Sequence, residues 1–142
     1  MTIIPTPGCT QATASPCRRA PSLGIVIVNW NTGDYLGRCL AAVARAVPAC
    51  AGPVDVVCVD NASSDGSFAA VATSPVPVRA LARPDNGGFA RACNEGAAAV
   101  TADFLLFLNP DTEVAPDTLA RVMAFLAAPE NDGVGICGIQ LV

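Results

Sequence analysis

The amino-acid sequence predicts an α/β fold in which a mostly parallel, Rossmann-like sheet carries helices on both faces. Short apolar runs alternate with segments in which apolar residues recur at helical spacing, which is typical of parallel α/β proteins. Polar side chains follow directly after the apolar runs, in loops that right-handed crossovers bring to one edge of such a sheet. Hydrophobic residues make up 52% of the 142 residues, which excludes an intrinsically disordered chain.

The first residues of the chain differ from the rest in composition and in hydrophobic pattern. Residues 1–21 contain four prolines and no hydrophobic periodicity, so we expect a flexible tail there and a domain at 22–142. The domain opens with a buried strand at 23–28, because this run is apolar and rich in β-branched residues. A helix is predicted at 34–46, where apolar residues recur at helical spacing until Pro48 ends the pattern.

The same strand and helix unit then repeats along the chain. Residues 54–59 form a second apolar run, and a short helix is predicted at 67–72 with Asp65 as its cap. Each later run is again followed by turn residues and then by a helical pattern. The remaining predicted elements are a strand at 76–81, a helix at 89–100, a strand at 103–108, a helix at 115–127 with Pro116 near its first turn, and a fifth strand at 134–139.

The composition excludes several classes of function. Twelve acidic and eight basic residues give a net charge of −4, which disfavours a nucleic-acid partner because such proteins need a basic surface. The sequence contains no histidine, which excludes a Ser-His-Asp triad and a His-ligated zinc site. All basic residues are arginines, which excludes a P-loop lysine and a Schiff-base lysine. Seven cysteines without a CxxC pair are interpreted as small apolar side chains, with a zinc or redox role as the alternative.

Two loops carry carboxylates that follow apolar strands. Asp60 ends the second strand and can accept hydrogen bonds from a base or a ribose hydroxyl; the alternative is that it caps a turn. Asn109, Pro110 and Asp111 follow the fourth strand, and one carboxylate beside an amide suits a divalent ion that shares a diphosphate with its ligand. An ordinary turn is the alternative for this segment.

A third loop, at 83–88, leads into the helix predicted at 89–100. Gly87 and Gly88 let the backbone approach a ligand, and the N-terminus of the following helix attracts anions. The GxGxxG dinucleotide fingerprint is missing from this loop. Arg83 is a candidate for stacking on a base or pairing with phosphate, with a solvated surface charge as the alternative.

Four motifs, in this order, resemble those of family 2 glycosyltransferases of the GT-A fold, and most of all the rhamnosyltransferase-type members. The motifs are VIVNWN at 26–31, VDNASSDGS at 59–67, RPDNGGFARACNEG at 83–96 and FLNPDTEV at 107–114. The resemblance covers residues 22–142 and implies the N-terminal, nucleotide-sugar-binding half of such an enzyme.

The resemblance also implies roles for individual residues. Asp60 would hydrogen-bond the base, while Asn61 and Asp65 would shape the loop beside it. Asp111 occupies the place of the family's Asp-x-Asp motif and would hold Mg²⁺ or Mn²⁺ on the diphosphate of the nucleoside-diphosphate sugar. The implied nucleotide-sugar-binding residues are Asn29, Trp30, Asn31, Asp60, Asn61, Arg83, Asn86, Gly88, Asn94, Asn109 and Asp111.

The implied activity is transfer of a sugar, from dTDP-rhamnose or a UDP-sugar, with inversion, to a cell-envelope glycan or lipid-linked acceptor. The implied protein is cytoplasmic and works at the inner face of the cell membrane, with which it can associate peripherally. Two departures bear on this reading: Asn109 replaces the first Asp of Asp-x-Asp, and the general base is expected beyond Val142 in the acceptor half. A non-catalytic nucleotide-sugar-binding module is therefore the alternative function.

Overall fold

The computed structural model describes residues 19–138 and shows one sheet of four parallel strands within them. The strands are β1 (Leu23–Asn29), β2 (Val54–Asp60), β3 (Arg79–Ala82) and β4 (Phe104–Leu108). Their spatial order is β3-β2-β1-β4, so the two longest strands lie in the middle of the sheet. The predicted α/β class and the parallel sheet are confirmed.

Helices cover both faces of this sheet. Strands alternate their side chains between faces, so one central strand serves both layers. Helices α1 and α3 pack on one face, and α2 packs on the other. The α-helices are α1 (Tyr35–Ala46), α2 (Phe89–Ala98) and α3 (Thr118–Ala127), and shorter 3₁₀ segments lie at Val47–Ala49, Ser67–Thr73 and Pro129–Asn131.

The larger core lies between the sheet and helices α1 and α3. Ile25 and Ile27 of β1 are fully buried there against Leu36 and Leu40 of α1, and Leu119 of α3 joins the same cluster. Burying an aliphatic side chain of this size contributes about 1.5–3 kcal/mol relative to leaving it in water. This layer therefore fixes α1, and with it the loop that leaves β1.

Helix α2 sits very close to the opposite face of the sheet. Ala92 and Cys93 pack there with Val57 and Val59 of β2. Gly96 faces β1 so closely that a Cβ at this position would overlap the side chain of Val26. The small residues of α2 thus bring the helix onto β1 and β2, and its first turn arrives at the carboxyl edge of the sheet.

Strands β1 and β2 pair residue for residue along their whole length. Leu23 lies opposite Val54 at the start, and Asn29 lies opposite Asp60 at the end. The pairing continues one step further, where the Asn61 N–H donates to the Asn29 carbonyl at 2.8 Å. The polar residues that end the two strands are therefore side by side at the carboxyl edge, as the sequence predicts.

Several predicted elements differ from the observed ones at their boundaries or in their type. The third strand begins at Arg79 rather than at residue 76, and only four of its residues pair with β2. The segment predicted as a helix at 67–72 is a 3₁₀ helix, which follows Gly66 in a left-handed conformation with φ of +78°. Helix α3 begins at Thr118, after a turn in which the Thr118 N–H donates to the Ala115 carbonyl.

The prediction of a fifth strand at 134–139 is wrong for residues 134–138, which form no strand. Residue 139 lies outside the described residues. Gly133 and Gly135 flank Val134, and glycine weakens strands because it loses the most backbone entropy and contributes no packing. Ile136 is almost fully exposed, so the apolar pattern that predicted the strand has no buried face. Strand β4 is therefore one of the two edge strands of the described sheet, and β3 is the other.

The expected tail falls mainly on residues 1–18, which lie outside the described residues. Of the expected tail, residues 19–21 are described. Arg19 forms an ion pair with Asp103 at 2.9 Å, and Ser22, just after the expected tail, donates to the same carboxylate. Within residues 19–138, none of the helices has the length and apolarity required to cross a bilayer.

Three of the five cysteines within residues 19–138 behave as apolar side chains, whereas Cys50 is half-buried and Cys137 is exposed. Cys39, Cys58 and Cys93 are buried. Burial is the main cause that raises the pKa of Cys39 and of Cys58 to about 12. A thiol with so high a pKa holds its proton at neutral pH, so these positions are poor nucleophiles and poor metal ligands.

Candidate functional site

A cleft of about 590 Å³ opens at the carboxyl edge of the sheet. It is bounded by the loops that follow β1, β2 and β4 and by the start of α2. This is the position at which open parallel sheets bind their ligands. Six residues predicted from the sequence line it: Trp30, Asn31, Asn61, Asn86, Asn109 and Asp111.

Asn29 is fully buried at the joint between the first two loops. Its Nδ2 donates to Asp60 Oδ1 at 2.8 Å and to Ser67 Oγ at 2.9 Å, and its Oδ1 accepts from Thr32 Oγ1. Asp60 also accepts from Ser63, through the hydroxyl at 2.6 Å and the backbone N–H at 3.0 Å. Asn29 and Asp60 therefore stand behind the cleft and hold its loops together.

Further hydrogen bonds join the loop after β1 to the loop after β2. Asn31 adopts a left-handed conformation with φ of +51°, and its Oδ1 accepts from the Ser64 N–H at 2.8 Å. Asp65 accepts from the Gly33 N–H at 2.8 Å and from the Ser67 N–H at 2.9 Å. The hydrogen bonds from Ser67, followed by that from Gly33, lower the pKa of Asp65, which favours its ionised form. The sequence predicted Asp65 as the cap of the Ser67–Thr73 segment, but the N-cap residue is Gly66.

Asn61 faces the cleft and has an unmet hydrogen-bonding requirement. Its Nδ2 donates to Asn86 Oδ1 at 2.6 Å, and the same Asn86 oxygen accepts from the Gly88 N–H at 3.0 Å. Because Gly88 supplies a donor, Asn86 must present its oxygen, and Asn61 must therefore present its nitrogen to Asn86. The Oδ1 of Asn61 is left buried without a partner, which is costly unless a ligand or water donates to it.

Gly88 and Asn94, on either side of the start of α2, lie outside the cleft lining. Gly88 has φ of +89° and ψ of 160°, a region open only to glycine, so it shapes the entry to the helix. Asn94 lies on an exposed face of α2 and is not brought to the cleft. Arg83 is also outside the lining, because its guanidinium is buried and paired with Glu95 of α2.

Asn109 and Asp111 lie in a tight turn at the end of β4. The Thr112 N–H donates to the Asn109 carbonyl at 3.1 Å, and Pro110 fixes the backbone between them. Asp111 is exposed at the cleft, and no group of three or more Cys, Asp or Glu side chains with metal-binding geometry occurs within residues 19–138. One carboxylate beside an amide therefore fits a hard cation that takes its other ligands from a diphosphate and water.

Two aromatic residues of the cleft were not predicted from the sequence. Tyr35 is 53% exposed and Phe89 is 55% exposed, and both line the cleft together with Trp30, which is 56% exposed. Large aromatic side chains on a surface mark places where a flat or apolar ligand group is buried. The sequence signal that could have identified both residues is their position directly at the start of a helix, after a polar loop.

The family model described as Glycosyl transferase family 2 matches residues 24–139 of the chain. The match includes all three strand ends and the helix start that bound the cleft. The chain belongs to glycosyl transferase family 2. The family expected from the four motifs is therefore confirmed, whereas the rhamnosyltransferase-type specificity stays a prediction.

Two curated relatives illustrate the sequence relationship. The O-antigen biosynthesis protein RfbC of Myxococcus xanthus is 33% identical over 126 residues, which are 84% of this chain and 10% of RfbC. The succinoglycan biosynthesis protein ExoO of Rhizobium meliloti (strain 1021) is 33% identical over 106 residues, which are 74% of this chain and 30% of ExoO. The family 2 chain thus spans less than a third of these relatives.

Solved glycosyltransferase structures share the fold. The S. aureus TarS 1–349 fragment bound to UDP-GlcNAc superposes with a TM-score of 0.66 at 22% identity, over 74% of this chain and 31% of that fragment. The mannosyltransferase PcManGT from Pyrobaculum calidifontis, bound to GDP-Man and Mn²⁺, gives a TM-score of 0.66 at 26% identity, over 80% of this chain and 34% of its own. These likenesses confirm the GT-A type of α/β fold expected for the family.

Proposed function

We propose that this family 2 chain forms the donor-binding part of a glycosyltransferase, with the cleft at the carboxyl edge of the sheet as the nucleoside-diphosphate-sugar site. The observation that carries the proposal is the convergence of three exposed aromatics, the Asn61 amide and the Asp111 carboxylate on one cleft. Aromatic faces suit a nucleobase or sugar ring, and a carboxylate suits the cation that accompanies a diphosphate.

The base is recognised by Asn61 rather than by Asp60. Asn61 lines the cleft, and its Oδ1 is a buried acceptor without a partner. A shift of the side chain that opens this oxygen to the cleft would favour a ligand that brings an N–H, such as the imide of uracil or thymine. Asp60 already accepts hydrogen bonds from Asn29 and Ser63, which supports a role in holding the loop. Trp30 and Phe89 provide the apolar walls between which the ring is stacked.

Asp111, with Asn109 beside it, would hold Mg²⁺ or Mn²⁺ at the diphosphate. No arginine lines the cleft among the described residues, so the chain itself brings little positive charge to a ligand that carries two phosphates. When bound, the cation supplies Lewis-acid stabilisation of the departing nucleoside diphosphate. The Mn²⁺ in the related mannosyltransferase structure supports this assignment.

The full reaction is transfer of the sugar, with inversion, from dTDP-rhamnose or a UDP-sugar to a cell-envelope glycan or lipid-linked acceptor. RfbC and ExoO are named for O-antigen and succinoglycan biosynthesis, which supports a polysaccharide as the acceptor. Such an acceptor places the enzyme at the cytoplasmic face of the membrane, with which it associates peripherally.

The test uses the single tryptophan of the chain, Trp30, which lines the cleft. Its fluorescence should change on addition of UDP, dTDP or GDP and of their sugars, with tighter binding when Mn²⁺ is present. Calorimetry confirms the affinity, and an assay of nucleotide release with added acceptor measures transfer. Binding with release supports a transferase, binding without release supports a donor-binding module, and the absence of any binding contradicts the proposal.

A further inference from the structure

Arg83 is a buried cation, whereas the other arginines within residues 19–138 are mostly exposed. Its side chain is only 4% exposed, and Nη1 lies 2.7 Å from Glu95 Oε1 on helix α2. This contact is an ion pair by distance and not an aligned hydrogen bond, since Nη1 has no hydrogen-bond partner among the described residues. Its Nε donates to the Asp85 carbonyl at 3.3 Å, so the same guanidinium also binds the backbone of its own loop. A buried charge is costly unless it is paired, so the loop and α2 strongly favour the one arrangement in which this pair forms.

The loop backbone is shaped to fit this guanidinium. A Cβ at Gly87 would overlap Arg83 Nη2 and would crowd Arg91 on α2. Gly87 therefore allows the chain to pass directly over the buried charge. The arrangement of residues 84–88 depends on Arg83 being present beneath them and paired with Glu95.

This same loop carries the part of the cleft that we name the lip, residues 86–89. Asn86 holds the Asn61 amide at 2.6 Å, and Phe89 is one of the aromatic walls. We propose that the Arg83–Glu95 ion pair is a positioning clamp that holds the lip in its binding-competent shape, and that Arg83 makes no contact with the nucleotide. This inference rests on the proposed function of the cleft.

The clamp and a direct phosphate contact predict different losses of affinity. If the clamp is broken, the lip spends less time in the binding-competent shape. The apparent affinity is then the intrinsic affinity multiplied by the fraction of time that the lip remains in that shape. A competent population of about one tenth gives an affinity about tenfold weaker. Because the lip surrounds the base, the loss is the same for a nucleoside and for its diphosphate, whereas a phosphate contact would affect the diphosphate alone.

The experiment compares Glu95→Gln and Arg83→Gln with the wild-type chain. Trp30 fluorescence is titrated with UDP, dTDP and GDP in Mn²⁺ and with the corresponding nucleosides. Each variant should bind nucleoside and diphosphate about tenfold more weakly, and Gly87→Ala, which displaces the guanidinium but keeps its charge, should do the same. The matched control is Arg91→Gln, since Arg91 Nε is 3.4 Å from the same Glu95 oxygen but its side chain is 64% exposed. We expect the control to stay within twofold of wild type.

Three outcomes would overturn the clamp. Arg83→Gln could lose affinity for the diphosphates only, or Glu95→Gln could bind them more tightly because Arg83 is released toward phosphate. Unchanged affinity in both variants would also contradict it. Circular dichroism confirms that each variant is folded.

A ligand-free measurement separates the clamp from the proposed function. Amide hydrogen exchange at residues 84–89 should become faster in Glu95→Gln, while exchange in β1 and β2 stays as in wild type. If the wild-type chain binds no nucleotide, the proposed function fails, and the exchange result still decides the clamp: equal exchange in the loop overturns it.

Discussion

Asp60 and Asn61 are adjacent in the sequence, yet the structure gives them separate tasks. The Asp60 carboxylate accepts from Asn29 and from Ser63, and it stands behind the loops. The Asn61 amide turns to the cleft, is held in one orientation by Asn86, and keeps a buried oxygen without a partner. Removing the first side chain should thus affect folding, and removing the second should affect binding.

Substitution of these two residues tests this separation. Asp60→Ala removes one of the acceptors of the buried Asn29 amide and the acceptor of the Ser63 hydroxyl, which should lower the free energy of unfolding by about 1–3 kcal/mol. Asn61→Ala should weaken nucleotide binding about tenfold while leaving the urea midpoint nearly unchanged. Urea denaturation and Trp30 fluorescence titration measure the two effects. The opposite pattern, with Asp60→Ala affecting only binding, would restore Asp60 as the residue that contacts the base.

Asp111 is the single carboxylate of the cleft lining within the described chain. Asp111→Asn should abolish the gain in nucleotide affinity that Mn²⁺ provides, because the amide no longer offers the cation a charged ligand. Affinity measured by calorimetry should then be the same with and without Mn²⁺. The matched control is Asp117→Asn, whose carboxylate is exposed and paired only with Arg121 across one turn of α3. A variant at 111 that still responds to Mn²⁺ would contradict the metal assignment.

Helix α2 connects the core to the cleft, because one end packs on β1 and the other end carries Phe89. Gly96 makes the close approach to Val26 possible, and Gly88 provides the backbone turn that starts the helix. The register of α2 on the sheet therefore sets the height of the lip above the cleft. A change deep in the helix and sheet interface should be detected at the binding site.

Gly96→Ala tests how closely α2 packs on the sheet. The added methyl group overlaps Val26, so it should force a shift of α2 and lower the free energy of unfolding by about 1–3 kcal/mol. Gly37→Ala in α1 is the matched control, since its new methyl group would lie 3.8 Å from Ala70 Cβ in ordinary contact. Alanine is the better helix former by about 0.5–1 kcal/mol, so the control should be stabilised slightly. Urea denaturation of both variants measures the two effects. Equal stabilisation of both would show that the interface between α2 and the sheet has space for a methyl group at position 96.

The elements that the sequence predicted best are those whose signals are local. The ends of β1 and β2 were predicted closely because an apolar run stops at a single polar residue, Asn29 or Asp60. The fifth strand at 134–139 was predicted from apolar residues alone, and the glycines between them were given too little weight. The late start of β3 at Arg79 depends on which residues find a partner in β2, and that is a tertiary property.

The site shows the same division. Five of the six lining residues were identified because polar side chains after strands meet at one edge, and Trp30 was implied by the family resemblance alone. The sequence could not reveal that Arg83 is buried, since burial depends on Glu95 from α2 and on the path of the backbone at Gly87. No role was assigned to Phe89 from the sequence, and its exposure at the cleft shows that it is a lining residue.

At the scale of the whole molecule, the amino edge of the sheet is closed by polar contacts. Ser22 donates to Asp103 through its hydroxyl and its N–H, and Arg19 pairs with the same carboxylate at the surface. The contacts from Ser22, followed by those from Arg19, lower the pKa of Asp103 to about 2. They tie the segment before β1 to the segment before β4, across the end of the molecule opposite the cleft.

This closure predicts a defined dependence of stability on pH. Because the pKa of Asp103 is lowered from 3.8, its contribution to stability is complete above that value and is lost as the pH falls toward 2. Asp103→Asn should therefore unfold at lower urea than wild type at pH 7, and the difference between them should shrink between pH 4 and pH 2. Urea midpoints of both proteins across this range measure it. A difference that stays constant with pH would contradict the role of the ionised carboxylate.

The arrangement of Asn29 has a practical consequence for protein engineering. The side chains that hold the cleft loops together from behind are different from those that contact the ligand. The two groups of residues can therefore be varied independently. A mutant library restricted to positions 30, 61 and 89 should retain soluble expression while it explores new donor preferences. Randomising positions 29 and 60 should instead yield mostly inactive, poorly expressed clones, and directed evolution of this chain should leave them untouched.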